Sequence, residues 1–493
     1  MSGESVNNLQ KILDTTLESF LDLVQCDAGS VYTARKDATG EQVLTFEAMI
    51  TRSIHLRGVP EHLRSLQFRI GDSSVVGKTA VLRKPIRVNL ASGDHASPAV
   101  GQILHYTTRN MFSGPLITPR GDLVGVVQLL NKLPQDGTPF DPLHTSLPEF
   151  DEKDERLFSI ISGQAALAIE NSLLLEEQER LTEGIVNACV TAIEARDPVT
   201  SGHSLRVSNY SVGLAEAVNR TDNGPLQAVN FTPPQLRELR FAAMLHDVGK
   251  IGVREEVLRK EKKLLPHETE IIALRLKLMR TQLLVLQQSE KKDYTEAIRR
   301  IDTAWAQILK ANEPSVLKRA TTGLVQDLRS LKVPFDTGEI LTALTEEESQ
   351  KLCIPQGSLS EPERLEIESH VSKTFDILKM IPWGRGLEQV PDIAYKHHEN
   401  LDGSGYPNGI MGHSIPPQAR MMTICDIYDA LIAGDRPYKP SMSSERALFI
   451  IDSQVKEGKV DGDYFDIFVK ARLFEPSRAA RASGSNSGGF SAA

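Results

Sequence analysis

Two doublets of ligating type, His246-Asp247 and His397-His398, constrain the fold of this 493-residue chain more than any other feature. The first follows the apolar run 241–245 and precedes Val248-Gly249-Lys250; the second leads into Glu399 and the polar loop 400–407. An adjacent His-Asp at a helix end can offer an imidazole to one cation and a carboxylate that bridges two. Asp426 follows the run Met421-Met422-Thr423-Ile424-Cys425 and shares a helix with Asp429, and a spacing of three turns both to one side. His203 opens another helix, and His370 lies on one that begins near Pro362. Imidazole and carboxylate without thiolate suit Fe, Mn, Co, Ni or Zn rather than Ca. Two divalent ions a few ångströms apart activate a bridging water and neutralise an in-line phosphoryl displacement.

At 493 residues the chain is long enough for roughly three compact units, and with 40% hydrophobic and 25% charged residues it reads as globular. Cys26, Cys189, Cys353 and Cys425 lie far apart, so neither a disulfide framework nor a thiolate zinc site is expected. No apolar run approaches the roughly 20 residues of a membrane span. The start MSGESVNNLQKIL shows no secretory pattern, which makes a reducing cytoplasm the expected compartment. A net charge of -9 argues against DNA and requires local cations or metal for any anionic ligand.

Residues 1–150 read as mixed α/β. An opening helix repeats Leu9, Ile12, Leu13, Leu17, Phe20 and Leu21, and strand-like runs follow at 30–35, 43–50, 85–90, 110–118 and 123–131. Asp72 is placed to cap a short helix before Lys84-Pro85. A long helix over 151–195 carries Leu157, Ile160, Gln164, Leu167, Asn171, Leu174, Gln178 and Leu181 at alternating spacings of three and four, a heptad seam with buried amides that suits a parallel dimer. The chain from 196 to 475 is almost all helical and is interrupted at 264–357 by amphipathic segments that read as an inserted helical hairpin or small bundle. The small, polar tail 476–493 is expected to be disordered.

The segment from about 185 to 475 resembles the HD-GYP family of the HD superfamily. The residues that carry the likeness are EARDPVTSGHSLRV (194–207), HDVGKIGV (246–253), SEPERLEIESH (360–370), KMIP (379–382), HHENLDGSGYPNGIMGHSIP (397–416), ARMMTICDIYDAL (419–431) and DRPYKP (435–440). The resemblance implies a metal-dependent phosphodiesterase that opens cyclic di-GMP to pGpG, with further cleavage to GMP as an extension. It implies His203, His246, Asp247, His370, His397, His398 and Asp426 as metal ligands, with Asp247 as the bridge and Asp247 and Lys250 as catalytic residues. Lys250, Gly405, Tyr406, Pro407, Asp429, Arg436 and Lys439 would hold the substrate. Fe or Mn are the expected metals, with Zn, Co or Ni as alternatives.

Three departures qualify this. Some members carry a Glu four residues before the first histidine and hold a third metal; Val199 stands there, so two metals are expected, with His398 a weak or outer ligand in that case. The insert at 264–357 is longer than the usual connection. The run DALIAGDRPY is one residue longer than usual, which puts the placement of Arg436 in question.

Residues 12–175 resemble a GAF domain, an antiparallel sheet flanked by helices that binds small ligands. Asn131-Lys132, followed by Phe150 and then Asp154-Glu155, matches the NKFDE motif of GAF domains in cyclic-nucleotide phosphodiesterases. The likeness implies a structural ion pair between Lys132 and Asp154, and cAMP or cGMP as candidate ligands beside another small molecule or a purely dimerising role. Asp94, His95, Arg109 and Asn110 are candidate pocket residues.

The fold class that results is multidomain: an α/β GAF domain, a connecting helix, and an all-α HD-type catalytic domain with an insertion. The function that the two resemblances imply is a GAF-regulated cyclic di-GMP phosphodiesterase, expected in the cytoplasm and expected to be homodimeric through the GAF domain and linker helix. The competing readings are a slow cyclic-dinucleotide receptor that signals to protein partners, and a hydrolase of cyclic GMP-AMP.

Overall fold

The computed structural model describes all residues except 1–2, 38, 61–62, 64–65, 72–73, 90–105, 135–139, 141–146, 197–201, 317–318, 336–337, 434–441 and 476–493. The chain divides into two compact units, Met1–Gly184 and Ile185–Ala493.

The first unit is built on a sheet of antiparallel strands in the order β3-β2-β1-β7-β6-β5. The strands are β1 (Cys26–Lys36), β2 (Gln42–Thr51), β3 (Leu56–Arg57), β5 (Ile86–Asn89), β6 (Asn110–Ile117) and β7 (Leu123–Lys132), with β4 (Gln67–Arg69) paired to β2. The five longest match the strand-like runs; β3 and β4, of two and three residues, carry too little pattern to be read.

Alternation along the strands gives each face its own core. Val127 and Leu129 join the cluster under the helices Gly3–Val24 and Glu152–Arg196, whereas Val126 packs with Tyr32, Phe46 and Val76 on the opposite side. Leu13, Leu17, Phe20 and Leu21 are fully buried there, as their spacing requires. Asp72 lies outside the described residues; Ser74 caps the helix Val75–Leu82 by accepting from the Gly77 N–H at 3.0 Å.

The segment expected as a separate linker behaves differently. In the helix Glu152–Arg196, Phe158, Ala165, Ala166 and Ile169 belong to the first unit's core. Leu157 of the heptad stripe packs against this core, but the rest of its apolar positions lie on another face: Ile160, Leu174 and Leu181 are 66%, 56% and 61% exposed, and Leu167 is exposed beside them. This helix is long and apolar enough by composition to cross a membrane, although no such run was expected. Its apolar character is explained by one face in a core and a second stripe without a partner among the described residues.

The second unit is helical. Its main cluster joins Val207, Leu214 and Val218 of His203–Asn219, Leu239, Phe241 and Leu245 of Pro233–Leu245, Ile393 of Val390–Tyr395, Ile424 and Tyr428 of Pro417–Ile432, and Phe465 and Phe468 of Gly462–Lys470. The insert is more than a hairpin. Its helices Pro266–Glu290, Thr295–Ala311, Arg319–Ser330 and Glu346–Leu352 and the strand pair β8 (Lys332–Pro334) and β9 (Ile340–Thr342) enclose their own core around Ile272, Met279, Ile308, Val325, Val333 and Leu352. Its entry and exit are fastened together. Ser358 Oγ donates to Lys260 O at 2.8 Å, and Lys260 pairs with Glu363 at 2.8 Å.

Candidate metal centre

Each ligating side chain is delivered by the end or the inner face of a helix. His246 follows Pro233–Leu245, and the turn Val248–Gly252 then packs across the helix Glu361–Lys379, which carries His370. That crossing depends on Gly249, because a Cβ there would meet His370 O at 2.0 Å and Thr374 N at 2.5 Å. Thr374 Oγ1 ties the crossing by accepting from the Gly249 N–H and donating to His246 O, both at 2.9 Å. His397 and His398 follow Val390–Tyr395, and Thr423 Oγ1 of the helix bearing Asp426 donates to His397 O at 2.6 Å.

The rings converge. His203, His246 and Asp247 bring ligand atoms within 4.8 Å of one another, as do His246, His397 and Asp426, and His370, His397 and His398. Asp247 lies between two sides. Its Oδ1 faces His370 Nε2 at 3.3 Å; its Oδ2 faces His246 Nε2 at 3.4 Å, His203 Nε2 at 3.9 Å and Lys250 Nζ at 2.7 Å. Asp426 Oδ1 is 3.1 Å from His203 Nε2 and 3.7 Å from His246 Nε2.

Three tautomers are set by the backbone. Nδ1 of His246, His370 and His397 donates to the carbonyl three residues earlier, Ala243, Ile367 and Ala394, at 2.8, 2.6 and 2.6 Å. The Nε2 lone pairs therefore point inward, and all three Nε2 atoms are buried without a hydrogen-bond partner. A buried polar atom left unsatisfied is costly, and three aimed at one space fit a cation. HD domains are metal-dependent, and this donor set suits such an ion.

The electrostatics agree. Burial, with neighbouring imidazoles, lowers His397 well below the usual histidine range and His398 to about 4, so both are neutral ligands. Burial works against the charge on Asp247, but Lys250 and the surrounding histidines hold its carboxyl well below the usual range; His203 and His246 do the same for Asp426. Burial alone would lower His203, yet the hydrogen-bonded carboxylates of Asp426 and Asp429 lift it to about 9.

Gly405, Tyr406 and Pro407 lie beside this cluster: the Tyr406 ring packs tilted against His398 with centroids 4.7 Å apart, and the Tyr406 N–H donates to His398 O at 3.1 Å. Glu399, which the sequence reading did not single out, fixes the loop. Its carboxylate is buried and accepts from the Asn408 and Ile410 N–H groups at 2.8 and 3.1 Å. Its place directly after the histidine doublet was the available signal.

Asp429 differs from expectation. Instead of facing substrate it is fully buried, with its oxygens engaged by His203 Nδ1 at 2.8 Å and by Arg206. Arg436, Lys439 and Val199 lie outside the described residues.

In the first unit, Lys132 Nζ meets Asp154 Oδ2 at 2.5 Å and also donates to Glu149 O at 3.1 Å. Phe150 packs in the core against Phe112, and Glu155 pairs with Arg87 at 3.1 Å. Asn131 Oδ1 accepts from the Arg109 N–H at 2.7 Å, its amide donates to Tyr106 Oη and Thr107 O, and Asn110 Oδ1 accepts from the Lys132 N–H at 2.9 Å. Asn110 is thus part of a clasp between strands and loop; Asp94 and His95 lie outside the described residues.

Residues 8–169 match the GAF domain family, and residues 200–320 and 341–464 match HD domain families. A "Cyclic di-GMP phosphodiesterase response regulator RpfG" from Xanthomonas campestris pv. campestris is 36% identical over 64% of this chain and 51% of that protein. From Vibrio cholerae, a "Probable cyclic di-GMP phosphodiesterase" is 28% identical over 59% of this chain and 44% of that protein. A "3'3'-cGAMP-specific phosphodiesterase 1" from the same organism is 34% identical over 30% of each. The chain thus spans about a third to a half of these relatives. Fold and site define a GAF domain joined to an HD domain. The histidine-aspartate cluster, with the Gly405-Tyr406-Pro407 loop beside it, lies in the region that the HD models and the relatives named as cyclic di-GMP phosphodiesterases match.

Proposed function

We propose that this chain is a metal-dependent phosphodiesterase that hydrolyses cyclic di-GMP to pGpG, with further cleavage to GMP. The observation that carries the reading is the set of three buried, unpartnered Nε2 atoms aimed at the space between Asp247 and Asp426, beside Lys250. Two divalent ions, Fe or Mn first among them, would be held by His203, His246, Asp247, His370, His397, His398 and Asp426, with Asp247 facing histidines through both of its oxygens. When bound they supply Lewis-acid stabilisation of phosphoryl charge and a water nucleophile at neutral pH.

The chain's own residues do the rest. Asp247 offers one oxygen to each side. Lys250 keeps Asp247 ionised and presents an ammonium group to a substrate phosphate, which an acidic protein must supply locally. Tyr406 forms a cleft wall held in place by Glu399. Arg436 and Lys439 would add cations from the neighbouring segment.

A second reading, cyclic GMP-AMP as substrate, is favoured by the relative named as 3'3'-cGAMP-specific. The deciding experiment incubates the full chain, loaded with Mn(II) or Fe(II), with each cyclic dinucleotide and resolves products by anion-exchange chromatography. Linear dinucleotide from cyclic di-GMP at the higher kcat/KM supports the first reading, and the reverse preference supports the second. Binding of either without products under any metal leaves a receptor.

The GAF unit would hold a small regulatory ligand, with cAMP and cGMP the first to test. The exposed stripe Ile160, Leu167, Leu174 and Leu181 supports a homodimer through this helix. Four free cysteines suit a reducing cytoplasm.

A further inference from the structure

His203 differs from its neighbours in how its ring is held. His246 and His397 stand just beyond the ends of helices and His370 lies within one, so each has a backbone carbonyl three residues back to fix Nδ1. His203 is the first residue of its helix and has no helical carbonyl behind it. Its Nδ1 donates instead to Asp429 Oδ2, a carboxylate brought from the helix Pro417–Ile432.

Asp429 is fully buried, and a buried carboxylate needs a partner. Arg206 supplies it as a two-pronged clamp, Nε to Oδ1 at 2.8 Å and Nη2 to Oδ2 at 3.0 Å. Arg206 lies three residues after His203 and so rises from the same helical face. The turn before the helix makes room for it: Gly202 has a φ of +69°, and a Cβ there would sit 3.0 Å from an Arg206 guanidinium nitrogen.

We propose that Arg206 is a positioning residue of the metal centre, acting through Asp429 to hold His203 with its Nε2 lone pair directed at Asp247 and Asp426. The inference rests on the metal-centre reading above. Without the guanidinium, the Asp429 carboxylate loses its countercharge and turns, and His203 loses its orientation. A carboxylate behind an imidazole ligand also raises its basicity, and the loss of such an outer partner typically weakens metal affinity about 10- to 100-fold.

The test uses the full chain. Mn(II) affinity is measured by calorimetric titration for wild type, R206Q, R206K, D429N and R206Q/D429N, with cyclic di-GMP kinetics at saturating Mn(II). R206Q is expected to bind Mn(II) about 10- to 100-fold more weakly. KM at saturating metal should stay at the wild-type value, R206K should regain part of the affinity, and the double variant should be no worse than the poorer single one. If R206Q does not fold, R206K carries the test through the same loss of affinity in smaller degree.

Unchanged Mn(II) affinity in R206K and R206Q would overturn the proposal, as would a raised KM with intact affinity, which would make Arg206 a substrate contact. Additive losses in the double variant would also overturn it. Wild-type protein that binds no Mn(II), Fe(II) or Zn(II) would instead sink the metal-centre reading itself.

Discussion

At Gly249 two backbones of the second unit cross closely, and G249A tests whether the turn Val248–Gly252 and the helix Glu361–Lys379 meet as tightly as described. An alanine Cβ would lie 2.0 Å from His370 O, whereas ordinary contact begins near 3.4 Å, so the two elements must part by up to 3.4 − 2.0 = 1.4 Å. Overpacking of this kind costs about 1–3 kcal/mol. The same movement pulls Thr374 Oγ1 away from the Gly249 N–H and His246 O; losing two buried hydrogen bonds adds about 1–3 kcal/mol. A total of roughly 2–6 kcal/mol is expected. Trp305 and Trp383 are the chain's two tryptophans and both lie in the second unit, so urea unfolding followed by tryptophan fluorescence reads this unit alone. A displacement near 1 Å of His370 from Asp247 should also lower kcat about 100-fold. A G249A protein with wild-type urea midpoint and wild-type Mn(II) affinity would refute the close crossing.

Further outcomes follow from other contacts. E399Q should loosen the loop 405–407 and raise KM for cyclic di-GMP with Mn(II) affinity unchanged, read by steady-state kinetics and titration. K132M leaves Asp154 buried without its cation and should cost the first unit about 3–5 kcal/mol, whereas K132M/D154L should recover much of it, measured by far-ultraviolet circular dichroism during urea unfolding. In metal-stripped protein, stability should fall on both sides of about pH 6.5, the unfolded histidine value. His398, lowered to about 4, stays neutral while the unfolded chain takes up its proton, so stability drops from pH 6.5 towards 4. His203, raised to about 9, contributes fully below 6.5 and loses that contribution as pH rises through 9. Urea midpoints at pH 5, 6.5 and 9 check this, and a flat profile would contradict it. The proposed homodimer should sediment as a dimer in analytical ultracentrifugation and L167E/L174E as a monomer, and equal sedimentation of the two proteins would contradict the seam.

The histidines and aspartates that the structure gathers were legible in the sequence because residue chemistry and spacing coincide. The doublets His246-Asp247 and His397-His398, followed by a glycine-rich loop, leave few alternatives, and the structure gathers them. Their supports were poorly legible. The motif around Asp429 points to substrate, and only the meeting of two distant helices shows it occupied by His203 and Arg206. Glu399 reads as one more acidic residue until its two backbone partners are seen. The five long strands followed from runs of apolar residues, but β3 and β4 are too short for periodicity to register. The insert's helices were legible as amphipathic; that they close around a separate core is a long-range property that no local window contains.

That separate core bears on how the polypeptide can be assembled during synthesis. The residues that give His203, His246 and Asp247 emerge first, and those that give His370 onwards emerge only after the intervening segment. A floppy excursion of that length would make the two halves search for each other from afar. Because this segment encloses a core of its own and its ends are stapled by Ser358 and Glu363 to Lys260, the halves are held as if joined by a short tether. Evolution could therefore enlarge or replace it wholesale without disturbing the chemistry it interrupts.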